Sequence, residues 1–170
     1  SFVAGEWWRA ITAATLHADL AHVSGNACFI AVLGWGAAER HGSGVAAFGW
    51  LFTALVGFLV SLVLTDVSLT VGAAGGLFGL LGLAALHAFG GAGELSLPRR
   101  HRLRTIGSGV LLLAFTAFSP GSNIAAHVGG FVAGGGLALV LPPRAAAAGG
   151  QVLAALVTAG AVWAGWSYVL

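Results

Sequence analysis

The sequence predicts an all-α polytopic membrane protein, a bundle of about six transmembrane helices. Three observations predict it. The 170 residues are 58% hydrophobic and only 7% charged, with a mean hydropathy of +0.96, whereas a soluble domain needs about 25% charged residues to cover its surface. The apolar residues gather into runs long enough to cross the hydrocarbon core, which takes about 20 helical residues. The polar residues fall between those runs, where a multispan chain has to turn.

Five apolar segments stand out, at about 20–38, 45–64, 71–89, 105–141 and 147–169. The fourth is too long for one crossing and is interrupted by Ser119-Pro120-Gly121-Ser122-Asn123, a cluster of turn-forming residues. Splitting it into 105–118 and 123–141 gives six helices. Arginine supplies every formal positive charge, since the chain has no lysine. Threading six spans puts Arg40, Arg99, Arg100, Arg102, Arg104 and Arg144 on one side and Arg9 alone on the other. That bias makes the arginine-rich face cytoplasmic and Ser1 to Asp19 extracytoplasmic. A net charge of +2 spread over short loops does not point to nucleic acid. The single cysteine, Cys28, allows no intramolecular disulfide. The chain opens at Ser1 without a methionine, so it is expected to be part of a longer protein.

Two segments are rich in small residues: Gly72, Gly75, Gly76, Gly79 and Gly82 in one, and Ala126, Gly129, Gly130, Gly134 and Gly135 in the other. Helices in lipid associate through close backbone approach at such positions, so these two are expected to cross tightly.

Ionisable and polar groups inside spans are costly and mark functional sites. The stretch TLHADLAHVSGN carries His17, His22 and Asn26, the last two one helical turn apart on one face. IAAHVGG carries His127. The stretch TVGAAGGLFGLLG places a glycine-rich turn around Ala73-Ala74, which bear no reactive group. The threading puts His22, Asn26, Ala74 and His127 at similar depth near one surface. A metal site from His17, His22 and His127 lacks a carboxylate or thiol partner, because Asp19 lies off the His22/Asn26 face. A transporter path is disfavoured by the one-sided clustering, with His41, His87 and His101 read as loop or interface groups beside the arginines. The set makes better sense as part of an acyl-transfer site. His127 would be the base, and His22, Asn26 and the position 74 amide would be donors to an oxyanion. Only the nucleophile is missing, and the turn marks its place.

At this point the chain resembles the rhomboid family of intramembrane serine proteases, from about Trp7 to Pro142. The residues that carry the resemblance are Trp8-Arg9; His17, His22 and Asn26; Glu39, Arg40, Gly42 and Ser43; Gly72-Ala73-Ala74-Gly75 with Phe78; and Ala126, His127, Gly130 and Gly134. It implies a rhomboid-like bundle in which position 74 is the nucleophile and His127 its general base. It further implies an oxyanion hole of His22, Asn26 and the position 74 amide, with Phe78 packed on the imidazole of His127. His17, Gly72, Gly75, Gly130 and Gly134 support the site. The resemblance implies no cofactor and no metal. The expected partners are the bilayer and the transmembrane helices of other proteins, as substrates or clients, cut near the extracytoplasmic face.

Two departures accompany it. Residues 1–142 form the rhomboid-like core without the family's first span, and 147–169 adds a C-terminal transmembrane helix. Where the family has the nucleophilic serine, this chain has Ala74. That alanine is either a deliberate Ser→Ala change in an active protease or the natural loss of a pseudoprotease that binds client helices. Retention of His22, Asn26 and His127 favours the former.

Overall fold

The computed structural model describes residues 5–65, 71–89, 99–117, 122–141 and 148–170. Among them run seven helices: α1 (Trp8–Thr15), α2 (Leu20–His41), α3 (Ser43–Leu64), α4 (Ala74–Phe89), α5 (Arg99–Ala117), α6 (Ile124–Val140) and α7 (Ala148–Ser167). Each apolar segment read from the sequence is a helix. Residues 66–70, 118–121, with the first part of the expected break at 119–123, and 142–147 with Arg144 lie outside the described residues. By length and composition α2, α3 and α7 can each cross a membrane, and α4 and α6 are shorter apolar helices. The α5 helix begins six residues before the expected 105, so that Arg99, Arg100, Arg102 and Arg104 extend its first turns. Arginine is a good helix former whose long stem reaches the polar boundary.

The α1 helix is an addition to the expected picture, which left residues 1–19 as a loop. Ala10, Ile11, Thr12 and Ala14 turn inward from it, a one-sided pattern too short to stand out among the longer apolar runs. The α2 helix contains one wide π turn at Ile30–Gly34 and ends at Gly42, whose φ of +87° is open to glycine and strained for other residues. The Gly42 N–H closes α2 on the Ala38 carbonyl, and the Gly42 carbonyl accepts the Ala46 N–H of α3. One residue therefore makes the corner between two spans.

At the centre stands α4. Residues 76–83 are buried all the way round, as expected for a helix enclosed by others. Leu77, Phe78, Leu80, Leu81 and Leu83 pack with Leu33 and Ala37 of α2, Ala46 of α3 and Leu112 of α5.

Against α6 the contact is main chain on main chain. A Cβ at Gly130 would land on the Gly75 carbonyl, one at Gly134 on the Gly79 carbonyl, and one at Gly82 on the Phe131 carbonyl. This is the tight crossing expected from the two glycine faces. The structure adds a third participant, because a Cβ on Gly57 of α3 would land on the Ala126 carbonyl, and one on Gly129 would come within 2.8 Å of Val60. Between lipid-soluble helices there is no net hydrophobic drive, so this close packing is what holds them together.

The spans alternate in direction. The starts of α2, α4 and α6 share one end of the bundle with the finish of α3, where Ser61 meets Asn123. At the opposite end the start of α7 meets the α2–α3 corner.

Gly130→Val should lower the resistance of the purified protein to thermal unfolding in detergent, by roughly 1–3 kcal/mol on the scale of overpacked cores. Gly136→Ala, where an added Cβ meets nothing within 4 Å, should leave it unchanged or slightly raised.

Candidate active site

The α2 helix starts at Asp19, whose side chain accepts the His22 N–H at 2.8 Å. Aspartate is a favoured N-cap because it satisfies a helix donor that has no intrahelical partner. With the start fixed, His22 and Asn26 fall on one face, and that face meets Gly72. A Cβ on Gly72 would lie 2.7 Å from His22 Nε2 and 3.7 Å from Asn26 Nδ2. Gly72 also has a φ of +116°. Space and backbone conformation both demand glycine there.

Asn26 is 1% exposed, and neither its Nδ2 nor its Oδ1 has a hydrogen-bond partner. Such a group is uncommon in a folded protein and costs about 1–3 kcal/mol. The carboxamide is therefore held unpaired beside the turn, at that cost.

Ala74 opens α4, directly after the buried Ala73. The first N–H groups of a helix have no intrahelical acceptor, so the main chain at 74 and 75 presents donors at the positive end of the helix dipole. Phe78 lies one turn further on, on the face that carries Ala74. Its ring stacks on the imidazole of His127, with centroids 4.6 Å apart and planes 19° from parallel. His127 is in turn placed by the start of α6. Asn123 accepts the Ala126 N–H on its side chain at 3.0 Å and the His127 N–H on its carbonyl at 3.1 Å. The Asn123 Nδ2 donates to Ser61 Oγ, which ties α6 to α3. Gly75 and Gly130 then let α4 and α6 approach until the two rings stack.

Gly72, Ala74, Phe78, His127, His22 and Asn26 thus gather at one end of the bundle, from three helices. Chemically this is two imidazoles and a carboxamide around a helix start that carries the methyl of Ala74. His17 joins from the α1–α2 connection. Its ring stands edge-on to His22, centroids 5.1 Å apart, and its Nε2 is buried without a partner. Burial, and then the neighbouring His22, push the His17 pKa below its usual value. Gly134 lies two turns down α6 from His127 and belongs to the crossing.

Other motif residues lie elsewhere. Arg9 pairs with Glu6 at 3.0 Å and holds the Glu6 carboxyl below the usual carboxylate range, an exposed pair of small energetic weight. Glu39, Arg40, Gly42 and Ser43 form the corner at the opposite end. Ser61 is buried on α3 and engaged with Asn123. His41, at the end of α2 beside Arg40, is 2% exposed, and its ring lies 5.0 Å from that of His87. The two rings, one buried and one partly buried, meet at the opposite end, where loop or interface groups were expected.

Sequence reasoning misses two contributors. Asn123 reads only as part of a turn, though an asparagine just ahead of an apolar helix is itself a cap signal. Ala13 carries no sequence signal at all, yet its carbonyl accepts the Gly72 N–H at 2.8 Å.

The fold and this cluster define a polytopic membrane protein with a histidine–asparagine site at the converging starts of three helices. The chain belongs to the rhomboid family: residues 4–144 match the model of the Rhomboid domain. It is 31% identical to Rhomboid protease GluP of Bacillus subtilis over 158 residues, which is 89% of this chain and 30% of that protein. It is 30% identical to Rhomboid-like protease 3 of Toxoplasma gondii over 135 residues, 75% of this chain and 49% of that protein. Rhomboid-like protein 11, chloroplastic, of Arabidopsis thaliana is 36% identical over 81 residues, 47% of this chain and 29% of that protein. The chain therefore spans less than half the length of these curated relatives. No solved structure matches it significantly.

Asn123→Ala should destabilise the fold by about 1–2 kcal/mol, the size of a lost cap, as measured by thermal or denaturant unfolding in micelles. For His17 the sign follows from its lowered pKa. The unfolded chain binds the proton more readily, so stability falls as pH drops through about 6.5 and is level above it. Comparing melting temperatures of the parent and His17→Gln across pH should reveal a difference in slope only on the acid side.

Proposed function

We propose that this chain is the membrane core of a rhomboid-type serine endopeptidase that cleaves transmembrane helices of other membrane proteins, silenced at its nucleophile position by Ala74. The observation that carries this reading is the stack of Phe78 on His127, one turn beyond Ala74, opposite the Gly72 turn held against His22 and Asn26.

With serine at 74, the hydroxyl oxygen would attack the scissile carbonyl while His127 takes its proton. The same imidazole would return that proton to the leaving amine and then activate the water that releases the acyl group. The carbonyl oxygen, negatively charged in the tetrahedral intermediate, would be met by the position 74 amide, His22 and Asn26. The unpartnered Asn26 carboxamide supports this role, since its donors are free for a substrate oxygen. The site faces the extracytoplasmic side and the arginine-rich end the cytoplasm, on the distribution of arginines.

A methyl cannot attack a carbonyl, so the chain as it stands does not cleave by this route. Intact His22, Asn26 and His127 support reading Ala74 as the replacement of a serine in a working protease. Ala74 itself favours the second reading, a natural rhomboid pseudoprotease that binds client helices without cutting them. The codon for residue 74 in the source gene separates the two.

Ala74→Ser should raise cleavage of a transmembrane substrate in proteoliposomes by about a millionfold, the order lost when such a nucleophile is removed. Adding His127→Ala should return it to background. An Ala74→Ser protein that is inert yet still captures client helices would favour the second reading.

A further inference from the structure

The helix α7 lies beyond the residues that match the Rhomboid domain, and its polar contacts are concentrated at its two ends. At one end Gln151 grips the α2–α3 corner. Its Oε1 accepts the Val45 N–H at 3.1 Å, and its Nε2 donates to the His41 carbonyl. These satisfy a donor at the start of α3 and an acceptor at the finish of α2, groups that otherwise lack intrahelical partners. At the other end α7 meets α1. Gly165 allows the approach, since a Cβ there would come within 3.1 Å of Ile11. Trp166 Nε1 donates to Thr15 Oγ1 at 3.1 Å, and Tyr168 stacks on Trp8 with centroids 4.9 Å apart and planes 10° from parallel. Thr15 Oγ1 in turn donates to the Thr12 carbonyl at 2.9 Å.

The α1 helix then touches the site through one bond, the Gly72 N–H to the Ala13 carbonyl at 2.8 Å. Gly72 sets the turn that aims position 74 and presses on His22. A continuous run of contacts therefore leads from the α2–α3 corner, through the rigid helix α7, to α1 and the glycine turn.

We propose that α7 is a positioning strut for the active-site turn, with Trp166 and Thr15 as positioning residues that hold α1, and through Ala13 the Gly72 main chain, in register with His22 and His127. This rests on the protease reading for its catalytic consequence, but its structural consequence stands apart. Trp166→Phe removes the indole donor together with part of the ring, and Thr15→Val keeps the shape but removes the hydroxyl, which is both the Trp166 acceptor and the donor to the Thr12 carbonyl.

In the Ala74→Ser protein each variant should lower kcat about tenfold with KM unchanged, as for a nucleophile slightly out of place. The double variant should lose less than the product of the two single losses, because both remove the bond between Trp166 and Thr15. Thr15→Ser, which keeps the hydroxyl, should retain full turnover. In the Ala74 protein, hydrogen exchange at the Gly72 amide should be faster in Trp166→Phe than in the parent. Unchanged kcat, or a loss that merely follows a lower melting temperature, would overturn the proposal. If Ala74→Ser proves inactive, the protease reading fails and exchange alone decides: a faster Gly72 amide upholds the strut, and an unchanged one refutes it.

Discussion

The structure depends on main chain pressed against main chain where α4 crosses α6. Gly75, Gly79 and Gly82 on one side and Gly130 and Gly134 on the other leave no side chain between the helices at these points. Association in lipid draws on van der Waals contact, and such contact is densest where Cβ atoms are missing. The same closeness brings Phe78 onto His127. The glycines are therefore at once the adhesive of the bundle and the ruler that sets the spacing of the site.

Around that crossing the polar groups are arranged with unequal satisfaction. Asn123, Asp19 and Gln151 all have partners, and each fixes the start or finish of a helix. Asn26 and His17 Nε2, beside the glycine turn, do not. Energy gained from well-capped helices offsets the cost of leaving those groups unpaired. Asn123 and Asp19 cap helices at the same end of the bundle as these unpaired groups, and Gln151 at the other.

Much of this is legible from residues alone. The apolar runs mark the spans, and the break at 119–123 places the start of α6 within a residue of Ile124. The pairing of His22 with Asn26 follows from helical periodicity, and the glycine faces of α4 and α6 foretell their crossing. What escapes are contacts with no periodic signature. Ala13 acts through its carbonyl, which every residue possesses. Gln151 reaches a corner more than a hundred positions away in sequence, and α1 spans barely two turns. The burial of His41 is not readable locally, because nothing in the sequence shows how sharply Gly42 turns the chain. Main-chain partners and long-range caps are products of tertiary packing, and composition is blind to them.

The two-sided grip on α6 has a consequence for the imidazole it bears. Gly129 seats the helix on α3, and its neighbour Gly130 seats it on α4. Held along two adjacent faces, α6 has almost no freedom to spin about its own axis, and the Phe78 ring restrains the remaining torsions of the His127 side chain. Among the described residues the carboxylates are occupied or distant, with Glu6 on Arg9, Asp19 capping α2 and Glu39 at the far corner. The azimuth of the ring is therefore inherited from a jammed helix, by shape, which a bilayer tolerates well, where a charge would be tolerated poorly.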